Sequence, residues 1–122
     1  MEPALESLVR EGIRFVRIVW CDNGNVLRGK AVGVARFQDV LEHGIGISVV
    51  QQAVPATVDA PAPGSGLGPV GEVRLVSDLS TLVRLPWAPS QARALGEMVL
   101  DGAPWPLCPC AFLRRMVGAA EK

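Results

Sequence analysis

The stretch IRFVRIVWCDNGNVLRGKAVGV, residues 13–34, indicates the fold more strongly than any other part of this chain. Its first half is rich in β-branched and aromatic residues, which favour extended strands. Asn23-Gly24 separates this run from a second apolar run. Such a pair is the strongest short-range hairpin signal, because both residues accept positive φ in a type I′ turn. We therefore expect two antiparallel strands joined at Asn23-Gly24.

A helix is predicted on each side of this hairpin. Residues 3–11 begin with proline at a first helical position, and Gly12 provides a helix end. Residues 35–43 place apolar side chains at i, i+3 and i+4, and His43-Gly44 is typical of a helix C-terminus. The hairpin is thus expected to lie between two short helices.

The second half of the chain is predicted to contain further strands and one last helix. Residues 73–78 and 81–87 are two extended runs, and residues 91–102 favour a strand that ends at an Asp-Gly turn. A short extended segment, IGISVV, is expected before them, and residues 55–72 form a long Pro- and Gly-rich loop. A helix is expected from Pro109 onward. The order of elements indicates an α+β protein with a mixed sheet, flanking helices and a β-grasp arrangement.

Length and charge narrow the class of protein. A chain of 122 residues is the size of one domain. It has 12 basic and 12 acidic residues, and this balance argues against a nucleic-acid surface or an anionic membrane as partner. No apolar run approaches the ~20 residues of a membrane span. The acidic N-terminus and three cysteines, an odd count, favour a reducing cytoplasm. Near-zero net charge is compatible with self-association.

The sequence disfavours both a zinc site and a phosphate-binding loop. Cys21, Cys108, Cys110 and His43 add up to a Cys3His zinc set, but Cys108 and Cys110 are one residue apart, whereas zinc knuckles use C-x2-4-C. We therefore interpret the three cysteines as small buried thiols and His43 as a side chain that interacts with the dipole at a helix C-terminus. Residues 64–71, GSGLGPVG, lack the Lys-Ser/Thr of a phosphate-binding loop.

Asp78, Ser80 and Thr81 form a polar group where one apolar run stops and another begins. They are candidates for a catalytic cluster or for a turn. Asp and Ser at such a break commonly bond to nearby backbone groups and so build a turn. Because no histidine or lysine accompanies them, we favour a turn between two strands.

These motifs together resemble the N-terminal β-grasp domain of the glutamine synthetase family. SDLSTLVRLPWAPSQARALGEM (77–98) and DGAPWPLCPCAFLRR (101–115) are similar to its Asp-x-Ser-Thr, Pro-Trp and Asp-Gly-x-Pro motifs and to the Pro-Arg that opens a linking helix. The hairpin and second helix are similar to the family's opening, so the resemblance spans roughly residues 13–117. It implies an extension at 1–12, the β-grasp domain at 13–108, and at 109–122 the start of a helix leading to an absent catalytic domain.

The resemblance also implies a function. Family members join ammonia to glutamate through a γ-glutamyl phosphate made from ATP, and they need Mg2+ or Mn2+. Their N-terminal domain closes the active site of the adjacent subunit in a ring. Glutamine synthetase-like relatives, such as γ-glutamylpolyamine synthetases, join glutamate to larger amines. The chain by itself is then expected to bind no metal or ATP, to contain no catalytic residue and to be inactive. The alternative is a stand-alone β-grasp binding or structural module.

Three positions carry specific expectations from this resemblance. Ser48 lies where ammonia-using members have an Asp that helps hold ammonium, and a neutral hydroxyl lacks the carboxylate's charge attraction for a cation. Ser48 is therefore the candidate on the acceptor-amine side. Cys110 replaces the usual arginine after Pro109. Trp87, in the stiff Pro86-Trp87-Ala88-Pro89 segment, is expected in the core or at the contact with the adjacent subunit.

Overall fold

A computed structural model describes residues 3–122, apart from the side chain of Ala4. Residues 1 and 2 of the predicted extension lie outside this range. The elements, in order, are α1 (Pro3–Arg10), β1 (Phe15–Cys21), β2 (Leu27–Gly33), a 3-10 turn (Val34–Arg36), α2 (Phe37–His43), β3 (Ile45–Ser48), a 3-10 turn (Val49–Gln52), β4 (Glu72–Leu85), β5 (Ala88–Leu100), β6 (Ala103–Pro104) and α3 (Pro109–Ala120).

The sheet is mixed, as the α+β and β-grasp prediction requires. Its strand order is β2-β1-β5-β4-β3, with the short β6 paired to β5. The central pair β1–β5 is parallel, and the other pairs are antiparallel. The predicted fold class is therefore confirmed. The limits of the domains are not tested by the structure and remain a prediction.

The first hairpin forms where the sequence predicts it, with a different turn. The strands pair from Phe15 opposite Gly33 to Cys21 opposite Leu27. The positive φ of the loop is at Asn25, at 62°, while Gly24 is not among the residues with positive φ. The predicted type I′ turn at Asn23-Gly24 is therefore wrong. The loop is longer because the preceding aspartate, described below, organises it.

The core lies between one face of the sheet and the helices α1 and α2. Buried and more exposed side chains alternate along strands β1 and β5, so that every second side chain points into the core. The helices contribute Leu5 and Leu8 from α1 and Phe37 from α2. The buried side chains of the central strands are Val16, Ile18, Trp20, Ala92, Ala94 and Met98. The opposite face of the sheet carries the other members of each alternation, and we call it the outer face.

Two predicted strands are one strand in the structure. Residues 72–85 form the single strand β4, and the expected turn at Asp78–Thr81 is an irregularity within it. β4 is joined to β5 by the two residues Pro86 and Trp87, since Leu85 pairs with Ala88. The prediction of a turn between two strands was therefore wrong, because the sequence break marks a bulge.

The segment after β3 is irregular, as the sequence indicates. Between Gln52 and Glu72, where every residue is described, the chain forms only turns and bends. A hydrogen bond from the Ala62 N–H to the Ala53 carbonyl, 2.8 Å, closes part of this segment into a loop. In residues 3–122 no helix combines the length and the apolar character that crossing a bilayer demands.

Candidate functional site

Asp22 is the buried carboxylate of the hairpin loop. Its side chain is fully buried, and its Oδ1 accepts hydrogen bonds from the Gly24 and Val26 N–H groups, both at 2.9 Å. Its Oδ2 accepts from Arg28 Nε at 2.6 Å. One side chain thus satisfies two backbone donors and one arginine, which explains the loop geometry of this hairpin.

The surroundings of Asp22 favour its charged form. Burial raises the pKa of Asp22, but the Val26 N–H bond, the Arg28 guanidinium and the Gly24 N–H bond together hold that pKa below its ordinary value of 3.8. A carboxylate so held is a weak base near neutral pH. Asp22 is therefore placed to hold the loop and is poorly suited to proton transfer.

A cleft lies between the hairpin loop and the segment that follows β3. Asn23 joins the two, because its N–H donates to Gln52 Oε1 at 3.2 Å and its Nδ2 to the Gln52 carbonyl at 3.4 Å. The cleft has a volume of about 380 Å³ and is lined by the hairpin loop, residues 52–55, three side chains of the irregular segment and Leu107. Its lining residues are all described, and none is ionisable.

Ser48 ends β3 at the start of this segment. Its Oγ accepts a hydrogen bond from the Val50 N–H at 3.4 Å and so caps the 3-10 turn Val49–Gln52. It pairs with Glu72, the first residue of β4. The serine therefore has a local structural role in addition to the one expected of it, which the structure does not test.

Asp78, Ser80 and Thr81 build the bulge of β4. Asp78 lies opposite Leu95 and Val83 lies opposite Arg93, so that four residues (79–82) of β4 face one (94) of β5. The Thr81 hydroxyl donates to the Asp78 carbonyl at 2.6 Å and accepts from the Leu95 N–H at 2.8 Å. The hydroxyl thereby takes the place of a backbone acceptor where the ladder is interrupted.

The carboxylate of Asp78 connects this bulge to the last helix. Its Oδ1 accepts from the Ser80 N–H at 3.0 Å and from Ser80 Oγ at 2.6 Å, and its Oδ2 accepts from Arg114 Nη2 at 3.3 Å. Arg114 also donates through Nη1 to Glu97 of β5. The Ser80 hydroxyl and N–H, with the Arg114 charge, lower the pKa of Asp78. We call Asp78, Ser80, Glu97 and Arg114 the bulge–helix cluster.

Trp87 lies at the tip of the β4–β5 hairpin. It is 78% exposed, so within this chain it does not belong to the core. The expected core position is therefore wrong, and the expected contact with an adjacent subunit is not tested by a single chain. The indole is exposed because Pro86 and Trp87 form the two-residue loop itself.

The structure spreads the predicted positions along β4 and does not gather them. Ser48 lies opposite the first residue of this strand, Asp78 lies in its middle, and Trp87 follows its last residue. At ~3.3 Å per residue, the six residues from Glu72 to Asp78 span roughly 20 Å. These positions therefore do not form one catalytic centre within the chain.

The cysteines and the histidine lie in separate surroundings. Cys108 is buried beneath β5, where its Sγ accepts from the Met98 N–H at 3.4 Å, while His43 Nδ1 lies 3.1 Å from the Asp39 carbonyl at the end of α2. Burial, followed by the neighbouring Cys108 and Glu97, raises the pKa of Cys110. Across residues 3–122 no three His, Cys, Asp or Glu side chains group to hold a metal ion.

Several functional side chains of these clusters were missed from the sequence. One of them is Arg28, whose guanidinium binds the Asp22 carboxylate in the structure. Asp22, directly before Asn-Gly, carried a local signal, because such a residue commonly bonds two residues ahead. Glu97 and Arg114 carried none, since they lie 17 residues apart and meet only through the fold.

Comparison with known proteins identifies the family. A protein-family model described as "Glutamine synthetase N-terminal domain" matches residues 4–105. A γ-glutamylpolyamine synthetase of Streptomyces coelicolor is 34% identical over 119 residues, which are 95% of this chain and 25% of that protein. A γ-glutamylanilide synthase of an Acinetobacter species is 29% identical over 129 residues, covering 95% of this chain and 26% of that protein.

Solved structures show the same fold. One described as "Apo GmaS without ligand" has a TM-score of 0.82 at 22% identity, covering 98% of this chain and 26% of that one. Another, "Crystal structure of novel glutamine synthase homolog", has a TM-score of 0.76 at 30% identity, covering 88% of this chain and 26% of that one. This chain thus spans about a quarter of the length of the relatives it matches. It belongs to the family of glutamine synthetase N-terminal domains.

Proposed function

We propose that this chain is the N-terminal domain of an ATP-dependent, glutamine synthetase-like ligase that joins glutamate to ammonia or another amine. In this proposal it closes the active site of the adjacent subunit and does not catalyse alone. The observation that carries the proposal is the family match over residues 4–105. Relatives about four times as long, which include a polyamine and an anilide enzyme, give it further support.

The last helix supports a continuation into a catalytic domain. Within α3 the buried residue is Ala111, near its start. Its larger apolar side chains are exposed by about half: Phe112, Leu113, Met116 and Val117. An apolar stripe on a helix normally packs against another element. In the proposal that element belongs to the catalytic domain, which also binds ATP and Mg2+ or Mn2+.

The outer face of the sheet supports contacts with other subunits. It exposes Phe15 and Leu95 in part and Leu27 almost fully, and Trp87 extends from the hairpin tip. Grouped exposed apolar side chains are typical of protein interfaces, in which tryptophan is enriched. We propose that these residues are covered in a homo-oligomeric ring, and that the enzyme is cytoplasmic.

The residues around Ser48 support an acceptor amine other than ammonia. Ser48 is neutral, residues 49–71 contain one ionisable residue, Asp59, and the Glu72 carboxylate opposite Ser48 on β4 is already paired with Arg74 at 3.3 Å. The cleft beside this segment is likewise uncharged. A carboxylate would attract an ammonium ion or a polyamine more strongly than a hydroxyl does. An aliphatic amine carries the same single positive charge as ammonium at neutral pH. We therefore propose that the preferred substrate is a monoamine with an apolar aromatic substituent, which is uncharged.

Amide formation tests the proposal directly. This chain and the longer protein that contains it are each incubated with ATP, Mg2+ and glutamate, plus ammonia, ethylamine, aniline or putrescine. The longer protein is expected to release ADP in the presence of glutamate and amine and to form a γ-glutamyl amide, while this chain alone forms none. Absence of amide from the longer protein with every amine would overturn the proposal.

The same assay tests the role of Ser48. Ser48→Asp is expected to raise kcat/KM for ammonia relative to aniline by about tenfold, because a new carboxylate attracts the ammonium ion, whereas aniline is uncharged at neutral pH. Ser48→Ala is the matched control and should leave this ratio unchanged. A wild-type enzyme that uses ammonia at least as efficiently as every other amine would refute the proposed preference.

A further inference from the structure

We propose that Arg114 fixes the direction of α3 by joining it to the bulge of β4 and to β5. Arg114 is then a positioning residue: it sets the angle at which the chain leaves the sheet. The consequence for catalysis rests on the proposed function, because it requires that a catalytic domain follows α3. The attachment of the helix to the sheet does not.

The apolar contacts of α3 are concentrated at its beginning. Cys108, directly before the helix, and Ala111 in its first turn are buried, and the helix residues from 112 onward are exposed. Two small side chains near one end fix a point but leave the helix free to pivot. The hydrophobic contribution is correspondingly small, since it scales with the apolar area removed from water. A second point of attachment must therefore define the direction.

Arg114 supplies this second point, one turn farther along the helix. Its guanidinium contacts Asp78 on β4 and Glu97 on β5, so that one side chain joins three elements. Although the Arg114 side chain is 61% exposed, the Glu97 side chain is 14% exposed. A planar guanidinium that contacts two carboxylates restricts orientation more than a single exposed ion pair does.

The bulge prepares Asp78 for this contact. Ser80 engages Oδ1 through both its N–H and its hydroxyl, and this holds the carboxylate in one rotamer with Oδ2 directed at Arg114. Thr81 fixes the backbone of the bulge by bonding to both strands. In this structure the Asp-x-Ser-Thr motif therefore builds the bulge and also presents a fixed carboxylate to α3.

Cys110 lies one helical turn before Arg114, near the same carboxylates. Residues four apart lie on one helix face, and the Cys110 thiol lies within electrostatic range of Glu97, Arg114 and Asp78. A cation at position 110 would therefore face the same acceptors. An arginine at position 110 is therefore expected to replace the contacts of Arg114 with these carboxylates.

Hydrogen exchange of the backbone amides of α3 in this chain tests the attachment. In Arg114→Met these amides should exchange roughly threefold to tenfold faster, while those of β1 and β5 stay unchanged. Arg115→Met is the control: Arg115 stacks on Phe112 and bonds the Pro106 carbonyl at 3.5 Å, but contacts neither carboxylate. Adding Cys110→Arg to Arg114→Met should restore slow exchange.

Two results would overturn the inference. One is equal exchange of α3 in Arg114→Met and Arg115→Met. The other is acceleration that Cys110→Arg leaves uncorrected, which would show that the charge at this face is not what matters. Salt gives a further check, because 1 M NaCl should accelerate exchange in the wild type and leave Arg114→Met unchanged.

The longer protein tests the consequence for catalysis. Arg114→Met should lower kcat several-fold with KM for ATP little changed, and Cys110→Arg should restore kcat in that background. If the wild-type enzyme is active and Arg114→Met leaves its kcat unchanged, the positioning role is refuted. An inactive longer protein would instead refute the proposed function and leave the exchange result standing.

Discussion

Asp22 and Asp78 use the same local chemistry in two different surroundings. Each carboxylate accepts hydrogen bonds from N–H groups a few residues ahead, and each also binds an arginine. Asp22 is fully buried and its arginine comes from the same hairpin, whereas Asp78 is partly exposed and its arginine comes from α3. The first therefore stabilises its own loop, and the second transmits the position of a strand to a helix.

The difference in burial determines whether the loss of each carboxylate lowers stability or changes the geometry of the domain. Removing a buried carboxylate leaves its donors without water to replace it, so the cost is large. An exposed carboxylate can be replaced by water at small cost, but water does not define the direction of a helix. We therefore expect substitutions at Asp22 to affect folding and substitutions at Asp78 to affect geometry.

The largest effect is expected for Asp22→Ala. It removes two hydrogen bonds to backbone N–H groups and leaves Arg28 without its carboxylate, and such losses together cost about 2–4 kcal/mol. Denaturant unfolding measures this change. Asp22→Asn should have a stability between those of the wild type and Asp22→Ala, because its amide oxygen still accepts the N–H bonds. Asp39→Ala, which breaks an exposed pair with Arg36, should change stability little. An equal loss of unfolding free energy at Asp22 and Asp39 would contradict the larger structural role assigned to the buried carboxylate.

Acid unfolding is the next test of the comparison. The pKa of Asp22 is lower in the folded state than in the unfolded state. The contribution of its carboxylate to the free energy of unfolding is therefore fully present above the unfolded-state pKa near 3.8, and it is lost as pH falls through the lower folded-state pKa. Stability measured from pH 6 to pH 2 should therefore fall less steeply below pH 4 in Asp22→Asn than in the wild type. Parallel acid profiles would show that Asp22 is not held in its charged form.

A smaller effect on folding is expected for Asp78→Asn. The exposed ion pair with Arg114 contributes little to unfolding, and Ser80 can still bond the amide oxygen. The unfolding midpoint should shift less than in Asp22→Asn, while the amides of α3 exchange faster, as in Arg114→Met. A midpoint shift as large as that of Asp22→Asn would place Asp78 in the same structural class and end the contrast.

The smallest effect on this chain is expected for Trp87→Ala. Trp87 is exposed at the hairpin tip, and surface substitutions away from special features usually change stability by less than about 0.5 kcal/mol. In the longer protein the same substitution should weaken assembly, measured by sedimentation at decreasing concentration. An unaltered assembly would show that Trp87 is not an interface residue, and a destabilised chain would show that its exposure is misjudged.

Much of this fold follows from local sequence patterns. The first hairpin, the helix predicted over residues 35–43 and the strand predicted to end at Asp101-Gly102 all have short-range signals, and each element forms. The turn of the hairpin differs from the predicted type, α2 begins at Phe37, and β5 ends at Leu100. The bulge of β4 was not predicted, because the same Asp-x-Ser-Thr residues favour a turn and a bulge alike. The hairpin at Pro86-Trp87 lacks the Asn-Gly type of signal, so its two strands could not be paired from sequence.

The candidate site was less predictable for a physical reason. The burial of Asp22 depends on the segment after β3 covering the loop, and the Arg114 contacts join residues from three elements. Such contacts arise from tertiary packing and leave no periodic pattern. The resemblance of the motifs to the glutamine synthetase family was the stronger guide, since it joined short signals that are each ambiguous alone.

The proposed contact of this domain with another subunit is tested most directly by crosslinking in mixed oligomers. A photoreactive residue at position 48 is introduced into the longer protein, and equal amounts of 15N-labelled and unlabelled subunits are co-assembled. We predict crosslinks from position 48 to the catalytic domain, with mixed-label pairs as frequent as same-label pairs. Crosslinks confined to same-label pairs, or absent from the catalytic domain, would contradict the proposal that this domain closes the active site of its neighbour.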